Sequence, residues 1–233
     1  MMSFRFIALI STLLLFSPAF VAAQQTAYPD ITFEYSPFFA APCTAVTKQP
    51  VEVEAIKELE SRLDSFREHW RKDAPQLLGA TVKLTGVKFQ FRETKAALHL
   101  CRDFGSMSLP LLFQMRYFLK ATEGEQARSM ADFSNLVFHE TLHRYVTEQI
   151  RTLPDKTTPL LTKYRDESLP IRSHLHLYAI MNEVYRKLDR QKDLESAIAF
   201  EQTLKTASTH KRAREIVDKE GADSFIREFR KGR

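Results

Sequence analysis

The segment Asn135-Leu-Val-Phe-His139-Glu140-Thr-Leu-His143-Arg-Tyr145 constrains this chain more than any other stretch. An α-helix advances about 100° per residue, so side chains four apart stack on one face. Leu136, Val137, Phe138, Leu142 and Val146 surround the two imidazoles with apolar groups, which draws His139, Glu140 and His143 toward a buried face. Polar groups buried without a partner cost several kcal/mol, so the fold must supply one. The pattern predicts a helix from Ser129 to Ile150 that ends near Leu153-Pro154.

Histidines one turn apart on a helix can grip one tetrahedral ion, and a glutamate between them falls beside its open coordination position. Zinc lowers the pKa of a bound water to about 7. A carboxylate next to that water can take its proton and pass it to a leaving group. The expectation is therefore a Zn²⁺ site with His139 and His143 as ligands and Glu140 as the catalytic base.

This stretch resembles the zincin metallopeptidases, over the helix with its approach and a second helix downstream. The resemblance implies an active-site helix, a sheet whose edge strand aligns a peptide or protein substrate, and a cleft between two sub-domains. Arg144 departs from the family pattern, which usually has an uncharged residue there. The extension with Gly and a third His soon after the motif is absent from Arg144 to Ile150. A gluzincin-like arrangement, with the third ligand on a later helix, is the nearer pattern.

Three residues compete for that third position on Ser173-His174-Leu-His176-Leu-Tyr178-Ala-Ile-Met-Asn182-Glu183-Val-Tyr185. The resemblance favours Glu183, since Asn182-Glu183 is similar to the family's Asn-Glu pair, although Lys187 stands where an Asp is expected. On a helical wheel Glu183 shares its side with Arg186, Lys187 and Arg190, a solvated face. His174 falls at the centre of the stripe formed by Leu177, Tyr178, Met181, Tyr185 and Leu188. A ligand must face inward, so His174 ranks first, Glu183 second and His176 third. Tyr178, Tyr185 or Tyr145 is a candidate donor to an oxyanion, and Arg172 a candidate for holding a substrate carboxylate.

The rest of the chain sets the context. Arg5, the apolar run Phe6–Phe16, Pro18 and the small residues before Gln24 read as a secretory leader, residues 1–23. That run is too short to span a bilayer, which needs roughly 20 residues. The mature chain is expected to be secreted or periplasmic and not membrane-spanning. In an oxidising compartment Cys43 and Cys101 are expected to pair, for about 4 kcal/mol of stabilisation.

Residues 24–50, rich in Pro and aromatics, read as an extended arm, and 51–233 as one domain. Val51–Lys72 has helical periodicity, Thr81–Arg92 alternates like one or two strands, and Ala96–Cys101 is placed to pair with them. Leu109–Leu119 is ambiguous between strand and helix. A connector with three prolines, Arg151–Ser173, leads to a helix from His174 to about Arg190. Further charged helices follow from Asp193, with no special chemistry expected. The sum is an α+β fold: a small mixed or antiparallel sheet, the motif helix and a helical C-terminal half. The net charge of +5 is spread along the chain, so nucleic acid is not an expected partner. Two other classes stay open: a non-catalytic exported binding protein on the same fold, and a basic tail acting on an anionic surface.

Overall fold

The computed structural model describes residues 28–35, 40–153 and 158–231. The leader expected over 1–23 lies outside the described residues. Ile31 and Phe33 alternate with exposed Asp30, Thr32 and Glu34, and that period of two makes strand β1, Asp30–Tyr35. Helix α1, Ala40–Thr47, follows. The arm expected over 24–50 is thus partly built into the body, because β1 pairs in parallel with β2, Glu93–His99. A disulfide joins Cys43 to Cys101, tying α1 to the loop after β2.

Helix α2 runs from Val53 to Thr85, well beyond the expected Lys72. The strand expected at Thr81 is displaced by this helix. Val82 and Leu84 fit either period, but Leu77, Leu78, Thr81, Leu84 and Thr85 continue the buried helical face. The Thr81 and Thr85 hydroxyls donate to the carbonyls one turn back, of Leu77 and Thr81, each at 2.8 Å. Gly86 ends the helix at φ 68°, a left-handed cap that glycine adopts without a Cβ clash. Val87, Phe89 and Phe91 then enter the core without joining a ladder.

The ambiguous stretch after Leu109 resolves into strand β4, Leu111–Gln114, and a short 3-10 turn, Arg116–Phe118. Strand β3, Met107–Ser108, pairs antiparallel with β4 across the Leu109–Pro110 turn. The sheet is mixed, in the order β1-β2-β4-β3, with β1, β2 and β4 parallel and β3 on the edge. A short helix α3, Lys120–Glu123, leads on to the motif helix.

Helix α4, Met130–Ile150, bears His139, Glu140 and His143. Ser129 caps it with Asp132 in a reciprocal capping box, which satisfies end N–H groups and fixes where the helix starts. Phe133 in its first turns packs on Phe33, Phe66 and Phe118, at centroid distances of 5.3, 4.8 and 5.6 Å. That aromatic knot pins α4 between the sheet and α2. Fully burying one such ring contributes about 2–3 kcal/mol.

The helical half holds α5, Pro159–Lys163, α6, Leu169–Lys187, and α7, Gln191–Glu201. It closes with α8, Ala207–Glu220, and α9, Ala222–Arg230. Helix α6 begins five residues before the expected His174, because Pro170 sits in its first turn, where a missing N–H costs nothing. The fold is α+β, with one small mixed sheet and a helical C-terminal half. Among the described residues no helix is long and apolar enough to cross a membrane.

Candidate metal centre

Helices α4 and α6 pack against each other, and their contact brings three imidazoles together. The Nε2 atoms of His139 and His143 are 3.1 Å apart, and those of His143 and His174 are also 3.1 Å apart. Tetrahedral ligands at about 2.0–2.1 Å from zinc stand about 3.3 Å from one another, so this spacing fits a transition-metal ion. The ring orientations support the same conclusion. Nδ1 of His174 lies 2.6 Å from the Pro170 carbonyl, which only accepts, so that nitrogen carries the proton and Nε2 keeps its lone pair. Nδ1 of His139 faces a Glu201 carboxylate oxygen at 3.8 Å, an ion-pair rather than a hydrogen-bond distance, favouring the proton on that side. A cation between the three nitrogens would satisfy lone pairs converging at such spacing.

The surroundings keep the three imidazoles neutral. Burial drives the His139 and His143 imidazoles well below their ordinary range, and the positive charges of neighbouring histidines add to it. Burial likewise holds His174 down at about 4. Neutral imidazole is the metal-binding form. Glu140 is 8% exposed, and burial pushes its carboxyl up to about 8. A cation at the three histidines would favour its ionised form.

These groups line a cleft of about 1150 Å³ between the sheet edge and the helical half. The other expected residues fall elsewhere. Glu183 forms an ion pair with Arg186 on the outer side of α6. His176 lies 1% exposed beside Glu228, at 3.1 Å, against Phe225 of α9. Arg144 turns away from the site: it lies over the Phe91 ring at 3.8 Å and donates to Thr94 and Glu148. Arg172 stands outside the cleft wall, its Nε buried without a hydrogen-bond partner. The tyrosines are committed to structure, with Tyr145 on the Val87 carbonyl, Tyr185 on Asn135 and Tyr178 against His210 Nδ1 at 2.6 Å.

The last helices, read from sequence as lacking special chemistry, supply the back wall. His210 of α8 lines the cleft, its ring centroid 4.9 Å from that of His174. Arg214, one turn on, makes a two-pronged pair with Glu201 at 2.8 and 3.0 Å, donates to Asn182 and lies over the Tyr178 ring. A helical wheel carries the signal: His210 and Arg214 share the buried face with Ala213 and Val217. Glu201, at the end of α7, has no such mark. No protein-family model, curated protein or solved structure matches this chain.

Proposed function

We propose that this chain is an exported zinc-dependent hydrolase, most simply a peptidase, with His139, His143 and His174 as ligands. The observation that carries the reading is the convergence of three Nε2 atoms at zinc spacing in the same cleft as the carboxyl of Glu140. Among the described residues no fourth His, Cys, Asp or Glu joins that cluster, which leaves a coordination position for water or substrate. A fully closed site would instead have favoured a binding protein. Zinc is preferred because three neutral imidazoles around an open position suit it. The disulfide suits an oxidising compartment, and with it export.

Bound zinc would polarise a substrate carbonyl and lower the pKa of its water to about 7. Glu140 takes the proton of the attacking water and returns it to the leaving amine. Burial raises its carboxyl to about 8 and a cation at the histidines would lower it again, the two effects opposing each other toward the range where both transfers are easy. Strand β3, at the sheet edge and lining the cleft, offers unpaired backbone groups on which an extended peptide can align. Phe200 and Met181 line the apolar part of the wall.

The test is metal content and proteolysis of the purified chain beside His139→Ala and Glu140→Gln. About one zinc per chain is expected on the three-ligand pattern, lost in the first variant and kept in the second. Glu140→Gln should lower the hydrolysis rate about 10²–10⁴-fold. Full activity in that variant refutes the mechanism.

A further inference from the structure

Five large apolar side chains are conspicuously exposed among the described residues: Val53, Phe104, Met107, Leu109 and Leu169. All but Val53 line the one cleft that holds the three histidines. They come from both of its walls. Phe104, Met107 and Leu109 belong to the loop and edge strand that follow the disulfide at Cys101, on the sheet side. Leu169, 74% exposed, opens helix α6, which carries His174 little more than one turn later. Single exposed apolar residues scattered over a surface need no explanation, but their confinement to one cleft marks a binding surface for an apolar ligand.

The chain has reasons of its own to hold these residues there. Gln114 donates to the carbonyls of Cys101 and Phe104 at 2.7 Å each, and its own N–H is bound by Ser106, so the Phe104 loop is fastened to β4. Phe104 also packs edge-on against the buried ring of His99, at 5.4 Å. The apolar rim is therefore presented on anchored backbone, beside the unpaired edge of β3. Two of the carboxylates that line the cleft are held by cations. Asp103 pairs with Lys205 across the two walls at 2.6 Å, and Glu201 pairs with Arg214.

Resting on the hydrolase reading above, we infer that the substrate is an extended peptide with bulky apolar side chains flanking the bond to be cut. Charged peptides are poor substrates, since a side chain such as Lys or Glu would lose water against Met107, Leu109 or Leu169 without gaining a partner.

The experiment uses the full chain loaded with zinc and short quenched fluorescent peptides that differ only in their central pair: Phe-Leu, Ala-Ala, Lys-Lys or Glu-Glu. Both cleavage by the wild type and binding to the Glu140→Gln variant, followed by fluorescence anisotropy, are measured. The Phe-Leu peptide should be cut about 100-fold faster in kcat/KM than either charged peptide, the range that pocket discrimination reaches. Leu109→Glu and Leu169→Glu should each raise its KM about 10-fold, while Val53→Glu, also exposed but outside the cleft lining, changes nothing. All three positions are at the surface, so the variants keep their fold, checked by unchanged zinc content. Charged peptides cut as fast as Phe-Leu, or rim variants without effect, overturn the inference and leave the hydrolase standing. Preferential binding of Phe-Leu with no cleavage of any peptide overturns the hydrolase and leaves the apolar cleft standing. A Phe-Leu peptide that is neither bound nor cut overturns the inference.

Discussion

Glu201 makes two structural claims that can be separated. Its carboxylate holds Arg214 in a buried two-pronged pair, and one of its oxygens faces Nδ1 of His139, a proposed ligand. The Glu201 and Arg214 side chains are only 8% and 11% exposed. Replacing one partner strands the other charge, so Glu201→Leu and Arg214→Met should each lower stability by about 3–5 kcal/mol. Replacing both removes the stranded charge, and the double variant should recover to within about 1 kcal/mol of the wild type, less what Asn182 and Tyr178 lose. Zinc affinity should follow a different order. Loss of a carboxylate behind a ligand histidine costs about 10–100-fold in metal binding, so both variants lacking Glu201 should be weakened to that extent. Arg214→Met, which keeps the carboxylate, should not. Urea melts with a chelator present give the stabilities, and competition against a chromogenic chelator gives the affinities. If zinc affinity recovers in the double variant along with stability, Glu201 acts only through the fold and the positioning argument is refuted.

Three further outcomes are expected. Burial holds the His99 imidazole down at about 4, and its side chain is 1% exposed. Its folded pKa lies below the ordinary value of about 6.5, so the unfolded chain takes up the proton first as pH falls, and stability is lost between about 6.5 and 4, by about 3 kcal/mol. His99→Gln should flatten the stability curve in that window, and parallel curves for the two proteins would exclude the effect. The Cys43–Cys101 disulfide spans a sequence separation of 58, so Cys43→Ala with Cys101→Ala should cost about 4 kcal/mol in the chain-entropy account, read from the urea midpoint. His174→Ala should abolish stoichiometric zinc binding while His176→Ala keeps it, whatever the second does to stability. The reverse result would move the third ligand.

Those positions differ in how far they can be read from the chain. The α4 helix is legible throughout, because Ser129 and Asp132 mark its start and an apolar stripe runs its length. The α2 boundary was not legible. Thr81–Thr85 alternates in polarity as a strand does, and only the packing of Leu77, Leu78 and Leu84 on the core selects the helix. Strand β1 carries a clear period of two, but nothing local says that it pairs with residues about sixty positions away. Parallel pairing is a long-range decision, made here by α2 crossing back over the sheet.

The site divides along the same line. His139, Glu140 and His143 are set by spacing within one helix, and His174 follows from one rule, that a ligand faces inward on its own helix. Both arguments use only local geometry, and the structure brings these four residues into one cleft. Glu201, His210 and Arg214 reach it from α7 and α8 through tertiary packing alone. The consequence is asymmetric. A chain can carry the motif and still lack the carboxylate behind His139, the apolar rim and the edge strand that make the motif useful. Of the late helices it is α7 that places a carboxylate behind His139, so Glu201 substitutions should change metal affinity without touching His139, His143 or His174.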